Sequence, residues 1–76
     1  MKEVYIVTGA NGFLGNNIVR KLLEKNVEVR CLVLPEDKCD ALEGLNCKIY
    51  KGDVTKKETL EEIFNVDSDS MLYVIH

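Results

Sequence analysis

Three of the chain's five glycines, Gly9, Gly12 and Gly15, stand at equal spacing in "VYIVTGANGFLG" (residues 4–15), between two apolar runs. No other stretch restricts the fold as much. Upstream, "EVYIVT" (3–8) is short, β-branched and almost wholly apolar, the pattern of a strand buried on both faces. Downstream, "FLGNNIVRKLLEKN" (13–26) has a helical period. At 100° per residue Leu14, Gly15, Ile18, Val19 and Leu22 fall within roughly 140° of arc, and Asn16, Arg20, Lys21 and Glu24 occupy the remainder. Asn11-Gly12 is by itself a strong hairpin signal. The period after it is near 3.6 and not 2, so the turn joins a strand to a helix.

In a strand–turn–helix each glycine acquires a task. Gly9 lets the chain leave the strand through a sharp bend, with positive φ. Gly12 has no Cβ, so a ligand can approach the backbone at the helix start. Gly15 lies inside the helix's own apolar stripe, where glycine costs about 1 kcal/mol against alanine. The compensation expected is closer contact between the helix and the strand beneath it. The helix start exposes unpaired N–H groups and roughly half a positive charge, which favours an anion, most often phosphate. This turn would sit at the carboxyl edge of the first strand, where open α/β sheets bind ligands. A Walker A loop is excluded, because no Gly-Lys-Ser/Thr follows.

The alternation continues along the chain. "VEVRCLVL" (27–34) reads as a second strand, and residues 35–43 as a short helix with Gly44 as its stop. "CKIYKG" (47–52) reads as a third strand. Thr55 and Glu58 fit a capping box opening a helix that carries Leu60, Ile63 and Phe64 on one side and stops near Asn65. "MLYVIH" (71–76) is a fourth strand. The order β-α-β-α-β-α-β implies an α/β fold, with a parallel sheet, right-handed crossovers and helices on both faces.

Seventy-six residues make one small domain or a piece of a larger one, with a thin core and marginal stability. The net charge of −3, with both signs interspersed, disfavours a nucleic-acid surface, which needs a basic patch. The apolar runs are too short to span a membrane. No secretory segment precedes the first strand, so a cytoplasmic protein is expected. Cys31, Cys39 and Cys47 are odd in number, form no CxxC pair and lie far from the lone His76. Reduced thiols in or beside a core are therefore expected, with neither a disulfide framework nor a metal site.

"TGANGFLG" resembles the TGxxGxxG turn of the short-chain dehydrogenase/reductase superfamily. Phe13-Leu14 between the last two glycines is similar to its extended branch, the nucleotide-sugar epimerases, dehydratases and related reductases. A second match is "KGDVT" (51–55), which resembles the Gly-Asp-apolar segment after the third strand. A third is "YVIH" (73–76), similar to the family's fourth strand, with His76 at the strand end near the cofactor. The resemblance implies a Rossmann-like open parallel sheet, four strands with three crossover helices in the order 3-2-1-4. It implies that residues 1–76 are the amino-terminal part of one NAD(P)-binding domain, with the substrate region lying outside it. The implied cofactor-binding residues are Gly9, Gly12, Phe13, Leu14, Gly15, Asp53 and Val54. Asp53 would accept from the exocyclic amine of adenine, and the Val54 N–H would donate to a ring nitrogen. Read without the resemblance, Asp53 could merely begin a turn ahead of Thr55.

An acidic residue about 20 positions past the glycines selects NAD, and a nearby arginine NADP. Here the second strand ends in Leu34, Pro35, Glu36, Asp37 and Lys38. Glu36 or Asp37 could reach the ribose, or Lys38 a phosphate. No guanidinium is positioned for the extra phosphate, so NAD is expected ahead of NADP. The family's catalytic tyrosine lies four residues before a lysine. Tyr5 is followed at that distance by Gly9 and Tyr50 by Val54, while Tyr73 has no residue there. All three tyrosines fall in strands expected to be buried, and no catalytic residue is expected in this chain. The expected function is the dinucleotide-binding segment of an NAD(P)-dependent epimerase, dehydratase or reductase, with a small-molecule substrate held by the region outside it. Two other readings stand beside it, a non-catalytic NAD(P)-binding module of the same fold and a flavodoxin-like domain without a nucleotide. The fourth strand's apolar edge is expected to favour self-association.

Overall fold

The apolar, β-branched runs form four strands, β1 (Lys2–Thr8), β2 (Glu28–Val33), β3 (Lys48–Lys51) and β4 (Ser70–Ile75). The computed structural model describes residues 2–38, 40–53 and 55–76. All strand pairs are parallel, in the order β3-β2-β1-β4. This is the Rossmann-like sheet and strand order expected from the sequence. β1 is central, with Val7 in register with Cys31 on one side and Ile75 on the other.

Alternation along the strands builds a core on each face. Val7, Val29, Cys31 and Val33 pack with Ala10, with Val19 and Leu22 of α1 (Phe13–Leu23), and with Leu42. On the opposite face Ile6, Leu32 and Ile63 form a smaller cluster. Leu14, assigned to the helix's apolar stripe, is instead 71% exposed. Gly15 is the residue pressed on the end of β1, which leaves Leu14 on the flank. The helix stops at Leu23, and Asn26, at φ +60°, turns the chain toward β2.

The second and third crossovers are shorter than the expected helices. Among the described residues each holds one 3₁₀ turn, Asp40–Leu42 and Lys57–Thr59. The Thr55–Glu58 capping box does not form. Thr55 donates its backbone N–H (2.9 Å) and its hydroxyl (2.7 Å) to Asp53 Oδ1, and the Thr59 hydroxyl bonds back to the Lys56 carbonyl at 2.7 Å. Short polar side chains that bond their own backbone compete with an α-helix, and here they win. The segment coils as successive turns that still bury Ile63.

Arg30 fastens this segment to the sheet. Its buried guanidinium donates through Nη1 to the carbonyls of Ile63 (2.9 Å) and Asn65 (2.8 Å), and through Nε to Glu28 Oε2 (2.6 Å). Glu28 also pairs with Lys2 (2.6 Å) and Lys48 (3.6 Å), so one carboxylate links the starts of β1, β2 and β3. The hydrogen bond from the Lys2 ammonium, against opposing desolvation and with help from Arg30, holds the Glu28 carboxyl down at about 2.

The tyrosines depart from the expected burial. Tyr73 is 37% exposed and stacks on the half-buried Tyr5, with ring centroids 4.7 Å apart. Tyr50 is also only half-buried. α1 packs chiefly on β1 and β2, and Ile75 at the end of β4 packs partly buried against the core beneath it. At the sheet edge Met71 and Val74 of β4 are exposed as well. No helix among the described residues is long and apolar enough to cross a membrane.

Glu28 has a folded pKa of about 2 against an ordinary value of 4.5, so its stabilisation is present above about pH 4.5 and is lost as the pH falls toward 2. Lys2 and Lys48 are more than half exposed (55% and 60%), so solvent screening discounts the contribution to about 1–2 kcal/mol. Glu28→Gln is expected to lower stability by that amount at pH 7 and to flatten the acid limb below pH 4.5, both read by urea unfolding.

Candidate dinucleotide site

β1 delivers Thr8 and Gly9 to the carboxyl edge of the sheet. The Gly9 N–H still bonds across to the Leu32 carbonyl at 3.2 Å. Gly9 then adopts φ +60°, the positive value expected there, and its carbonyl accepts from the Gly12 N–H at 3.0 Å. Gly12, with φ −81° and ψ 171°, caps α1, and its carbonyl accepts the Asn16 N–H at 2.9 Å. No side chain caps the helix start and no acidic residue lies in its first turn, whereas Arg20 and Lys21 occupy its last turn. The positive end of the helix dipole is thus left without a counter-charge from α1 itself.

The glycine spacing is also a packing requirement. A Cβ at Gly15 would overlap the Gly9 carbonyl oxygen and lie 2.9 Å from the Ala10 Cα. A Cβ at Gly12 would lie 3.3 Å from the same oxygen. The close helix–strand contact expected at Gly15 is present.

Beside this turn opens a cleft of about 310 Å³. Ligand pockets run from about 300 to 1,000 Å³, so it lies at the lower end. Thr8, Gly9 and Asn11 form one wall, and Leu32, Val33, Leu34 and Asp37 form another. Gly52, whose N–H bonds the Val33 carbonyl at 2.9 Å, and His76 complete it. The Thr8 hydroxyl lies 2.8 Å from His76 Nδ1 and 3.4 Å from the Ile75 carbonyl, which ties the ends of β1 and β4 together.

The expected site residues are only partly gathered. Gly9 lines the cleft. Gly12 and Gly15 shape the turn beside it, and Phe13 and Leu14 stand at the helix start 90% and 71% exposed. Asp53 directly follows the cleft residue Gly52. Its Oδ1 accepts both Thr55 donors, and these hydrogen bonds, the hydroxyl's first, hold its carboxyl below the usual range. Val54 lies outside the described residues. Of the candidates after β2, Asp37 lines the cleft, while Glu36 and Lys38 are exposed and do not. Asn11 was legible only as a turn residue. It donates through Nδ2 to the Lys38 carbonyl at 3.1 Å and to Asp37 Oδ2 at 3.4 Å. Partners so far apart in the chain leave no sequence signal.

The model of the NAD dependent epimerase/dehydratase family matches residues 5–76. The chain belongs to this family. It is 41% identical over 54 residues to a putative dihydroflavonol 4-reductase of Synechocystis sp., covering 71% of this chain and 16% of that protein. It is 32% identical over 79 residues to the dTDP-D-glucose 4,6-dehydratase of Dictyostelium discoideum, covering 93% and 18%. It is 40% identical over 55 residues to photosystem II assembly factor Ycf39 of Cyanophora paradoxa, covering 72% and 17%. A crystal structure of gox2253 superposes with a TM-score of 0.80 at 30% identity, over 96% of this chain and 22% of that one. The chain therefore spans less than a fifth of the length of these curated relatives. Family membership makes it a dinucleotide-binding segment of the NAD(P) type.

Gly15→Ala is expected to destabilise by about 1–3 kcal/mol despite alanine's better helix propensity, because the new methyl meets backbone. Gly9→Ala meets open space and suffers only the strain of its positive φ, about 1 kcal/mol. Urea unfolding of the two variants checks the order.

Proposed function

We propose that this chain is the amino-terminal, dinucleotide-binding part of a longer NAD(P)-dependent epimerase, dehydratase or reductase acting on a sugar-nucleotide or another hydroxyl- or carbonyl-bearing substrate. The observation that carries the reading is the uncapped start of α1 following directly on Gly9 and Asn11, which line a cleft at the carboxyl edge of β1 and β2. Amides that no side chain engages, on a backbone kept bare at Gly9 and Gly12, suit a diphosphate. Asp53 and the Val54 N–H are assigned to adenine by the family resemblance. Asp37 lines the cleft, and its carboxylate suits ribose hydroxyls better than a 2′-phosphate, which supports NAD ahead of NADP. The bound dinucleotide supplies hydride transfer. This chain's own residues bind and orient it. The groups that move the proton and hold the substrate belong to the region outside this chain.

Fluorescence titration tests the reading. NADH is expected to bind more tightly than NADPH. Gly12→Val is expected to abolish both while leaving the far-ultraviolet circular dichroism unchanged. Asp37→Ala is expected to weaken NADH about tenfold, the worth of a charge-assisted hydrogen bond, and to narrow the preference. Undiminished NADH binding by the folded Gly12→Val variant would exclude the assignment. A longer form that binds NADH yet exchanges no hydride would favour the non-catalytic module.

A further inference from the structure

We propose that Asn11 is a positioning residue for cofactor selectivity, its amide fixing the loop after β2 so that the Asp37 carboxylate stands in the cleft wall. The inference rests on the dinucleotide reading above and assigns the part of that site which chooses between the two cofactors. Residues 34–38 connect the end of β2 to the second crossover, and among the described residues a backbone bond, Asp37 N–H to the Leu34 carbonyl at 3.0 Å, braces them from within. Among the described residues, two side chains brace them from outside. Asn11 Nδ2 reaches the Lys38 carbonyl at 3.1 Å and Asp37 Oδ2 at 3.4 Å, and Lys51 Nζ reaches the Asp37 carbonyl at 3.3 Å.

The chemistry of these partners fixes the amide's orientation. Both atoms facing Asn11 are acceptors, so its nitrogen must face them, since the reverse would set Oδ1 against a carbonyl and a carboxylate. A neutral amide orients the carboxylate without cancelling its charge. Asp37 keeps its capacity to accept from ribose hydroxyls and to repel a 2′-phosphate. A lysine or arginine at the same place would pair with the carboxylate and reduce both effects. Asn11 is also part of the turn that runs from Gly9, at φ +60°, to the Gly12 cap. The backbone that presents the diphosphate donors therefore sets the place of the loop that reads the ribose.

Asn11→Ala and Asn11→Asp, titrated with NADH and with NADPH, test this together with hydrogen exchange of the Asp37 amide in the ligand-free protein. Asn11→Ala is expected to weaken NADH about fivefold, the worth of an ordinary hydrogen bond, while NADPH changes by less than about twofold. The Asp37 amide is expected to exchange faster. In an Asp37→Ala background, Asn11→Ala is expected to leave the NADH-to-NADPH ratio where Asp37→Ala alone puts it. Asn11→Asp keeps the shape and turn propensity but opposes oxygen to oxygen. It is expected to act at least as strongly, and it serves where the alanine variant does not fold. Equal weakening of both cofactors, or unchanged Asp37 exchange, would overturn the proposal. A wild-type protein that bound neither dinucleotide would overturn the reading of the site and the selectivity role with it. Binding with an unmoved ratio would overturn the role alone.

Discussion

The contact of Gly15 with the backbone of Gly9 and Ala10 governs this structure. It sets α1 so close to the end of β1 that any side chain at position 15 would strike main-chain atoms. That approach requires the chain to leave β1 in one tight bend, which the positive φ of Gly9 provides. It also fixes where the first amides of α1 stand relative to the cleft. The same few atoms thus decide how the helix packs and what the helix start can bind.

The two edges of the sheet are treated in opposite ways. At the amino edge, Glu28 collects Lys2, Arg30 and Lys48, and Arg30 also takes up carbonyls of the third crossover. Charges there satisfy one another, and the result is cohesion between strands and crossover. At the carboxyl edge the helix start carries no side-chain cap, and the cleft is bounded partly by glycine. Stability is concentrated at the edge away from the cleft, and backbone donors without a side-chain partner are kept at the edge where the dinucleotide is proposed to bind. Arg30 joins the two edges, because the segment it fastens follows directly from Gly52 and Asp53.

Much of this was legible from local pattern alone. The apolar runs became strands, the order 3-2-1-4 held, and Gly9 and Gly15 took up the conformation and contact anticipated for them. Those features depend on steric rules acting over a few residues. The third crossover was less legible, because Asp53, Thr55 and Thr59 bond their own backbone and stop an α-helix that the apolar period alone would allow. Tyrosine burial was misjudged for a different reason. Burial of a strand depends on what covers it, and α1 packs chiefly on β1 and β2 while Met71, Tyr73 and Val74 of β4 stay exposed. The Glu28 cluster and the Asn11 tether join groups distant in the chain, and only the sheet's register and the glycine turn bring them together. Within the site, the turn was readable, while the loop bearing Asp37 gained its place through Asn11 and Lys51, which come from two separate segments.

The proposition beneath all this is that backbone amides at the start of α1 hold the diphosphate of a dinucleotide. Backbone amide chemical shifts, followed residue by residue as NADH is added to the ¹⁵N-labelled protein, test it most directly. Saturable shifts largest at Gly12, Phe13, Leu14 and Gly15, with a second group at Gly52 and Asp53, are the predicted result. Saturable shifts that left the 12–15 amides unmoved, or no saturable shifts at all, would contradict it.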